Sequence, residues 1–370
     1  MPDTPAQDDD NSHSTAARLA EGDPRLLPLL VAVETLSLIA RHADPMEFDA
    51  VMDAVGRPDD VLRTTLRDSD KRRAVTDNVS VALDTAGKAA LAGFDGLRAA
   101  VPQGADPRAI FKALRFLPRA QEALYPLATT HPGVNRFFLD PLVRDDADVV
   151  ARGKQAARQD ETGIMHHQNE PGTRGGFSIY VPEYYTADRE WPLVVALHGG
   201  SGHGRGFLWS WLRDARSFGA IVVAPTATGP TWALMGEDTD TPNLDRILTF
   251  VRERWTIDSS RMLMTGMSDG GTFCYVSGLE AGSPFTHLAP VSATFHPLMA
   301  AMADADRVRG LPIHIVHGAL DWMFPVEVAR QTRQRLTAVG ANVTYREIDD
   351  LSHCYPREVN SDLLAWMATT

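Results

Sequence analysis

In the stretch MLMTGMSDGGTFCYV, residues 262–276, a serine stands between glycines where one apolar run ends and another begins. Glycine weakens strands and helices alike, so it marks a sharp turn or a close backbone approach. Two readings compete for Ser268. Its hydroxyl caps the helix that follows, or the turn holds it out as a nucleophile. A serine hydroxyl attacks a carbonyl only when a base takes its proton. The second reading therefore needs a histidine, an acid to orient it, and donors for an oxyanion. Downstream, Asp321 lies in the loop after PIHIVHG and His353 in the loop after VTYREID. Each follows a β-rich run, as Ser268 does, and Ser, then acid, then His is the chain order expected with a nucleophile at a strand–turn–helix elbow. Singly, Asp321 reads equally well as the cap of a helix starting near Pro325, and His353 as an ordinary loop histidine. Together, in order and at strand ends, the three favour a catalytic triad. Asp349 and Asp350 are rival acids, but they sit too near His353 in sequence to project from a separate strand end.

The oxyanion would need two backbone donors. One is the N–H of Asp269, at the start of the helix after the nucleophile. The other is the N–H of Gly200, in the glycine-rich loop of LVVALHGGSGHG. His198 in that loop reads as a structural hydrogen-bonding residue, and the Asp269 carboxylate as a helix-start charge. The glycines of GGSGHGRG lack the Lys-Ser/Thr and the G-x-G-x-x-G spacing of nucleotide-binding loops. For a substrate pocket, Trp232 and Trp322 are the candidates for an apolar or aromatic wall, with Phe295 and His296 lining the acyl side. No cofactor is expected. His314 and His317 fall on opposite faces of a strand, so they are not a metal pair, and no cysteine spacing suits zinc. Cys274 reads as core, and Cys354 as a thiol open to reagents.

These residues need elements to position them. The chain changes character near residue 160. Residues 1–17 read as a disordered tail and 18–160 as a helical domain, with apolar residues at helical spacing such as Leu29, Leu30, Val33 and Leu36. Residues 161–370 read as the catalytic domain. FSIYVP, LVVALHG, AIVVAP, RMLMTGM, HLAPVSA, PIHIVHG and VTYREID are short β-rich runs, several continuously apolar, as buried parallel strands are. Helical segments lie between them. In TPNLDRILTFVRERW, Thr241 is the expected N-cap and Pro242 the first helical residue. The fold class is thus α/β, a doubly wound, mostly parallel sheet preceded by an all-α N-terminal region.

LHGG after a strand, IDSSRMLMTGMSDGG, HGALDWMFP and LSHCYP resemble the α/β-hydrolase superfamily, and within it the carboxylesterase and phospholipase-type serine esterases, with kinship to dienelactone-hydrolase and polyester-depolymerase-like enzymes. The resemblance covers about residues 166–370. It implies Ser268, Asp321 and His353 as triad, Gly200 and Asp269 as oxyanion donors, and a carboxylic ester as substrate cleaved through an acyl-enzyme. A serine peptidase or an acyltransferase would use the same triad, and a non-catalytic binding module is the alternative of another class. The N-terminal helices have no counterpart in minimal esterases. They are expected to pack on the hydrolase domain and shape access to Ser268, or to form a bundle for homo-oligomerisation.

Composition bounds the partners. A net charge of −12 over 370 residues argues against nucleic acid. The longest apolar run, LLPLLVAVETLSLIA, is broken by Glu34 and is too short to cross a membrane. The acidic start MPDTPAQDDD is the reverse of a basic signal peptide. Two cysteines do not make a disulfide framework. A small-molecule ester substrate and a cytoplasmic location are the resulting expectations.

Overall fold

The computed structural model describes residues 22–72, 77–155 and 161–369. The expected tail at 1–17 lies outside them. The chain divides into two compact units, residues 1–157 and 158–370.

The described part of the first unit is helical: α1 Leu26–Arg41, α2 Phe48–Val55, α3 Asp60–Arg72, α4 Asn78–Ala100, α5 Pro107–Leu114, α6 Phe116–Leu124, α7 Pro132–Phe137 and α8 Ala147–Gln155. The α1 stripe Leu29, Leu30, Val33, Leu36 and Ile39 is buried, as its 3.6-residue spacing dictates. Asp77 caps α4, its carboxylate accepting the Ser80 N–H at 2.7 Å. A Cβ at Gly96 would lie 2.8 Å from that of Ala113, so the missing side chain is what lets α4 and α5 cross closely. The buried carboxylate of Asp59 is held by Arg63 and Arg98, which offsets the cost of desolvating it.

The second unit is built on one sheet of eight strands: β1 Gly163–His167, β2 Phe177–Val181, β3 Trp191–Leu197, β4 Ile221–Pro225, β5 Ile257–Met267, β6 His287–Val291, β7 Pro312–Gly318 and β8 Asn342–Ile348. Its spatial order is β1-β2-β4-β3-β5-β6-β7-β8. The pairs β1/β2 and β2/β4 are antiparallel and all others parallel. Helices α9 Gly204–Phe207, α10 Leu212–Phe218, α11 Asp240–Arg252, α12 Asp269–Gly278, α13 Pro297–Met302, α14 Ala305–Val308 and α15 Val326–Ala338 lie in the connections, and α16 Asn360–Thr369 follows β8. The sequence reading missed β1. It is a half-buried edge strand without the alternation that betrays one. The helix expected to start at Pro242 starts at Asp240. The Asp238 carboxylate accepts the N–H groups of Asp240 and Thr241 at 3.0 and 2.9 Å, so the cap lies upstream of Thr241. Central strands are buried on both faces, β6 along its whole length and β3 at all but Pro192. Their continuous apolar runs follow from that position. All parallel strands point the same way, so the loops at their carboxyl ends gather along one edge.

Candidate active site

Ser268 sits at that edge, between β5 and α12. Its backbone has φ 56° and ψ −120°, a conformation disfavoured for any residue with a Cβ. The turn is forced by close packing. A Cβ on Gly266 would fall 2.6 Å from the Gly270 backbone, and one on Gly270 would fall 2.5 Å from the Leu197 carbonyl oxygen. Only glycine at both places lets strand, turn and helix approach so closely. The Ser268 N–H donates to the Val291 oxygen at 2.9 Å, tying the turn to β6. Its side chain makes no capping bond. Instead Oγ lies 3.1 Å from His353 Nε2.

His353 and Asp321 arrive from neighbouring strands. β7 and β8 pair in parallel register to Gly318↔Ile348. Beyond that point the Ala319 N–H donates to Ile348 and the Leu320 N–H to Leu351, at 2.9 and 3.0 Å. These bonds draw the two loops together. His353 Nδ1 comes to rest 2.9 and 3.0 Å from the Asp321 carboxylate oxygens. Asp321 Oδ1 also accepts the N–H groups of Met323 and Phe324, at 2.9 and 2.8 Å. Burial by itself would raise the Asp321 carboxyl. The hydrogen bond and charge of His353, the Phe324 N–H and nearby His317 outweigh burial and hold it below its ordinary value. The rivals Asp349 and Asp350 are exposed. One imidazole tautomer satisfies both partners, with the proton on Nδ1 toward Asp321 and a bare Nε2 toward Ser268. That arrangement can take a proton from the hydroxyl.

The glycine-rich loop after β3 closes over the serine. A Cβ on Gly199 would stand 3.6 Å from that of Ser268, and one on Gly200 would stand 2.7 Å from Asp269 Oδ2. Asp269 opens α12, so its N–H has no acceptor within the helix. Its carboxylate takes the Thr231 hydroxyl at 2.5 Å, which latches the helix start to the loop after β4. His198 anchors the glycine-rich loop from below. Its Nδ1 lies 2.7 Å from the Gly199 carbonyl and its Nε2 accepts the Ala227 N–H at 3.1 Å. Burial drives its pKa down to about 4, so it is a neutral strut.

The four pocket candidates fare differently. Trp232 is buried, stacked on Phe273 at 5.2 Å, with its indole N–H donating to the His198 carbonyl at 2.7 Å. It supports the loop from the core side rather than walling an open pocket. Phe295 is also buried, edge-on to Tyr275. His296 is exposed and caps α13, its Nδ1 accepting the Leu298 N–H. Trp322 is 37% exposed and edge-on to His353 at 6.1 Å, so it alone of the four stands both open and beside the imidazole. Cys354, expected to be open to reagents, is 4% exposed because it turns into the core beside His353. Phe324, which the sequence reading overlooked, packs edge-on to His353 at 5.1 Å. Its only sequence signal is that it closes the loop bearing Asp321. Among the described residues no group of three or more His, Cys, Asp or Glu is arranged to hold a metal ion, and no helix is long and apolar enough to cross a membrane.

Residues 238–370 match the model of the Phospholipase/Carboxylesterase family. A bifunctional acetylxylan esterase/xylanase of Neocallimastix patriciarum is 28% identical over 169 residues, 43% of this chain and 23% of that protein. The chain thus spans less than a quarter of the length of this curated relative. Among solved structures, a thermostable esterase is 20% identical, covering 56% of this chain and 59% of its own, with a TM-score of 0.42. An acetyl xylan esterase from Aspergillus awamori is 16% identical, covering 56% of this chain and all of its own, with a TM-score of 0.44. The mostly parallel eight-stranded sheet, with a serine at the turn after β5, makes residues 161–369 an α/β-hydrolase fold, similar over its C-terminal part to the phospholipases and carboxylesterases.

Proposed function

We propose that this chain hydrolyses carboxylic esters through an acyl-enzyme on Ser268, without a cofactor. The observation that carries the reading is the unbroken series Ser268 Oγ, His353 Nε2, His353 Nδ1, Asp321, with heavy-atom separations of 3.1 and 2.9 Å. In this mechanism His353 Nε2 takes the hydroxyl proton as Oγ attacks the ester carbonyl. The N–H groups of Gly200 and Asp269 receive the developing oxyanion. His353 then returns the proton to the leaving alcohol, and water repeats the sequence in reverse to release the acid. Asp321 stays ionised throughout, fixes the tautomer and stabilises the imidazolium. Trp322 beside His353 suits a small apolar or aromatic ester. The acetylxylan esterase relative supports including acetylated sugars among the substrates tried. The low cysteine content, two in 370 residues, supports a reducing, cytoplasmic location, and the N-terminal helices are proposed as the surface for any self-association.

The test is turnover of a p-nitrophenyl ester set against a peptide anilide, with fluorophosphonate labelling, for the wild type and Ser268→Ala. Loss of the nucleophile is expected to lower ester turnover by about 10⁶-fold and to abolish labelling. A folded Ser268→Ala chain that kept a tenth of the activity would overturn the assignment. Cleavage of the anilide in preference to the ester would make the protein a peptidase.

A further inference from the structure

We infer that His317 is a positioning residue for the Asp321–His353 pair, holding the acid loop closed with a single N–H. The inference rests on the acyl-enzyme reading. His317 is the penultimate residue of β7, and its side chain is fully buried. Its Nε2 lies 2.8 Å from the Phe324 carbonyl oxygen. A carbonyl only accepts, so Nε2 must carry a proton. The same nitrogen lies 3.4 Å from Asp321 Oδ2. Nδ1 is buried and, among the described residues, has no hydrogen-bond partner. One ring nitrogen therefore makes all the polar contacts of this imidazole.

Phe324 is what makes that contact matter. Its N–H donates to Asp321 Oδ1 and its ring packs edge-on to His353. Its carbonyl is the acceptor of His317. The loop runs from Gly318, at the end of β7, to Pro325, which precedes α15. His317 thus pins the far end of this loop back to the strand from which it departs. A buried Nδ1 with no hydrogen-bond partner among the described residues makes this histidine a poorer core residue than a leucine of similar size. A packing role alone does not account for it, whereas a donor aimed at Phe324 and Asp321 does. Asp321 must keep its bonds to His353 while the imidazole gains and loses a proton, and a loop closed at both ends resists the shift that this change of charge invites.

The experiment compares the wild type, His317→Gln and His317→Asn as full chains. Each is read by kcat and KM on p-nitrophenyl acetate and by the low-field proton resonance of the His353–Asp321 hydrogen bond. The glutamine amide nitrogen reaches the place of the ring Nε2 and is expected to retain most of kcat and the resonance. The asparagine amide stops at the place of Nδ1. It is expected to lower kcat by about 10²-fold at unchanged KM, the cost of misplacing a reacting group by about 1 Å, and to shift or broaden the resonance. A folded asparagine variant with wild-type kcat and resonance overturns the inference, as does a folded glutamine variant that falls as far as asparagine. Should asparagine not fold, glutamine decides alone by the same criterion. Ester turnover surviving in Ser268→Ala would overturn the acyl-enzyme reading instead, and the resonance would still decide whether His317 orders the pair.

Discussion

Asp321 does two jobs with one carboxylate: Oδ1 closes its own loop through the Met323 and Phe324 N–H groups, while both oxygens face His353 Nδ1. This division makes Asp321→Asn a clean probe. The asparagine oxygen can keep the turn, but its amide presents a donor where Nδ1–H needs an acceptor. The imidazole then carries its proton on Nε2 and cannot accept one from Ser268. Turnover of a p-nitrophenyl ester is expected to fall by about 10⁴-fold in a folded protein. Asp350→Asn, at an exposed position, is expected to leave it near wild type, and the reverse pattern would transfer the acid role. At this scale the convergence of Ser268, Asp321 and His353 was legible because each follows a β-rich run, and strand ends meet along one edge. Trp232 is buried rather than open; sequence shows that a residue lies in a nearby loop but not whether its ring turns toward solvent or core. For His317, residue types alone raise only the question of a metal pair. Its partner is a backbone carbonyl, and carbonyls leave no trace in residue types.

The element that most constrains the site is the loop after β3, and His198 is its anchor. The folded state keeps this imidazole neutral by burial, with a pKa of about 4 against an ordinary 6.5. Between those values the unfolded chain binds a proton that the folded chain refuses, so stability rises with pH there. The contribution is complete above pH 6.5 and lost as pH falls toward 4, about 3 kcal/mol in all. His287 and His314, also lowered mainly by burial, act with the same sign. Denaturant unfolding at stepped pH should show stability falling through this window. His198→Gln should be less stable at neutral pH but show a shallower slope, by about one proton. An identical slope in both proteins would remove His198 from the account. The elements themselves were largely readable, since buried parallel strands are written as continuous apolar runs. β1 escaped because an edge strand buries little, and the start of α11 because Asp238 caps it upstream of the more conspicuous Thr-Pro pair.

Along the chain, the candidate site falls in one unit and the N-terminal helices in the other. Every residue of the proposed triad and oxyanion site, and the sheet that carries them, lies within residues 158–370. A shortened chain starting near residue 161 is therefore expected to fold and turn over p-nitrophenyl acetate. Comparing it with the full chain on short and bulky esters tests the access role expected of the helices, and an unchanged preference would dismiss that role. The change of pattern near residue 160 was visible in sequence, because helical and alternating periodicities differ. What the helices serve was not, because an apolar helical face records that it is covered and not by what. The backbone at Ser268 has a consequence for the fold as a whole. A φ of 56° with ψ −120° is natural for glycine and costs any other residue about 1–3 kcal/mol. Ser268→Gly and Ser268→Ala both lose the hydroxyl and both should be inactive, yet only glycine is released from that cost. Even after glycine's extra freedom in the unfolded chain, about 0.4–1 kcal/mol, is subtracted, the glycine variant should melt above the alanine one. For a unit the size of residues 158–370, each 1 kcal/mol is worth about 2–4 °C. Scanning calorimetry of the two variants, side by side, would measure how much thermal stability the wild-type chain forgoes to keep its serine in place. Equal melting temperatures would show that the turn stores none.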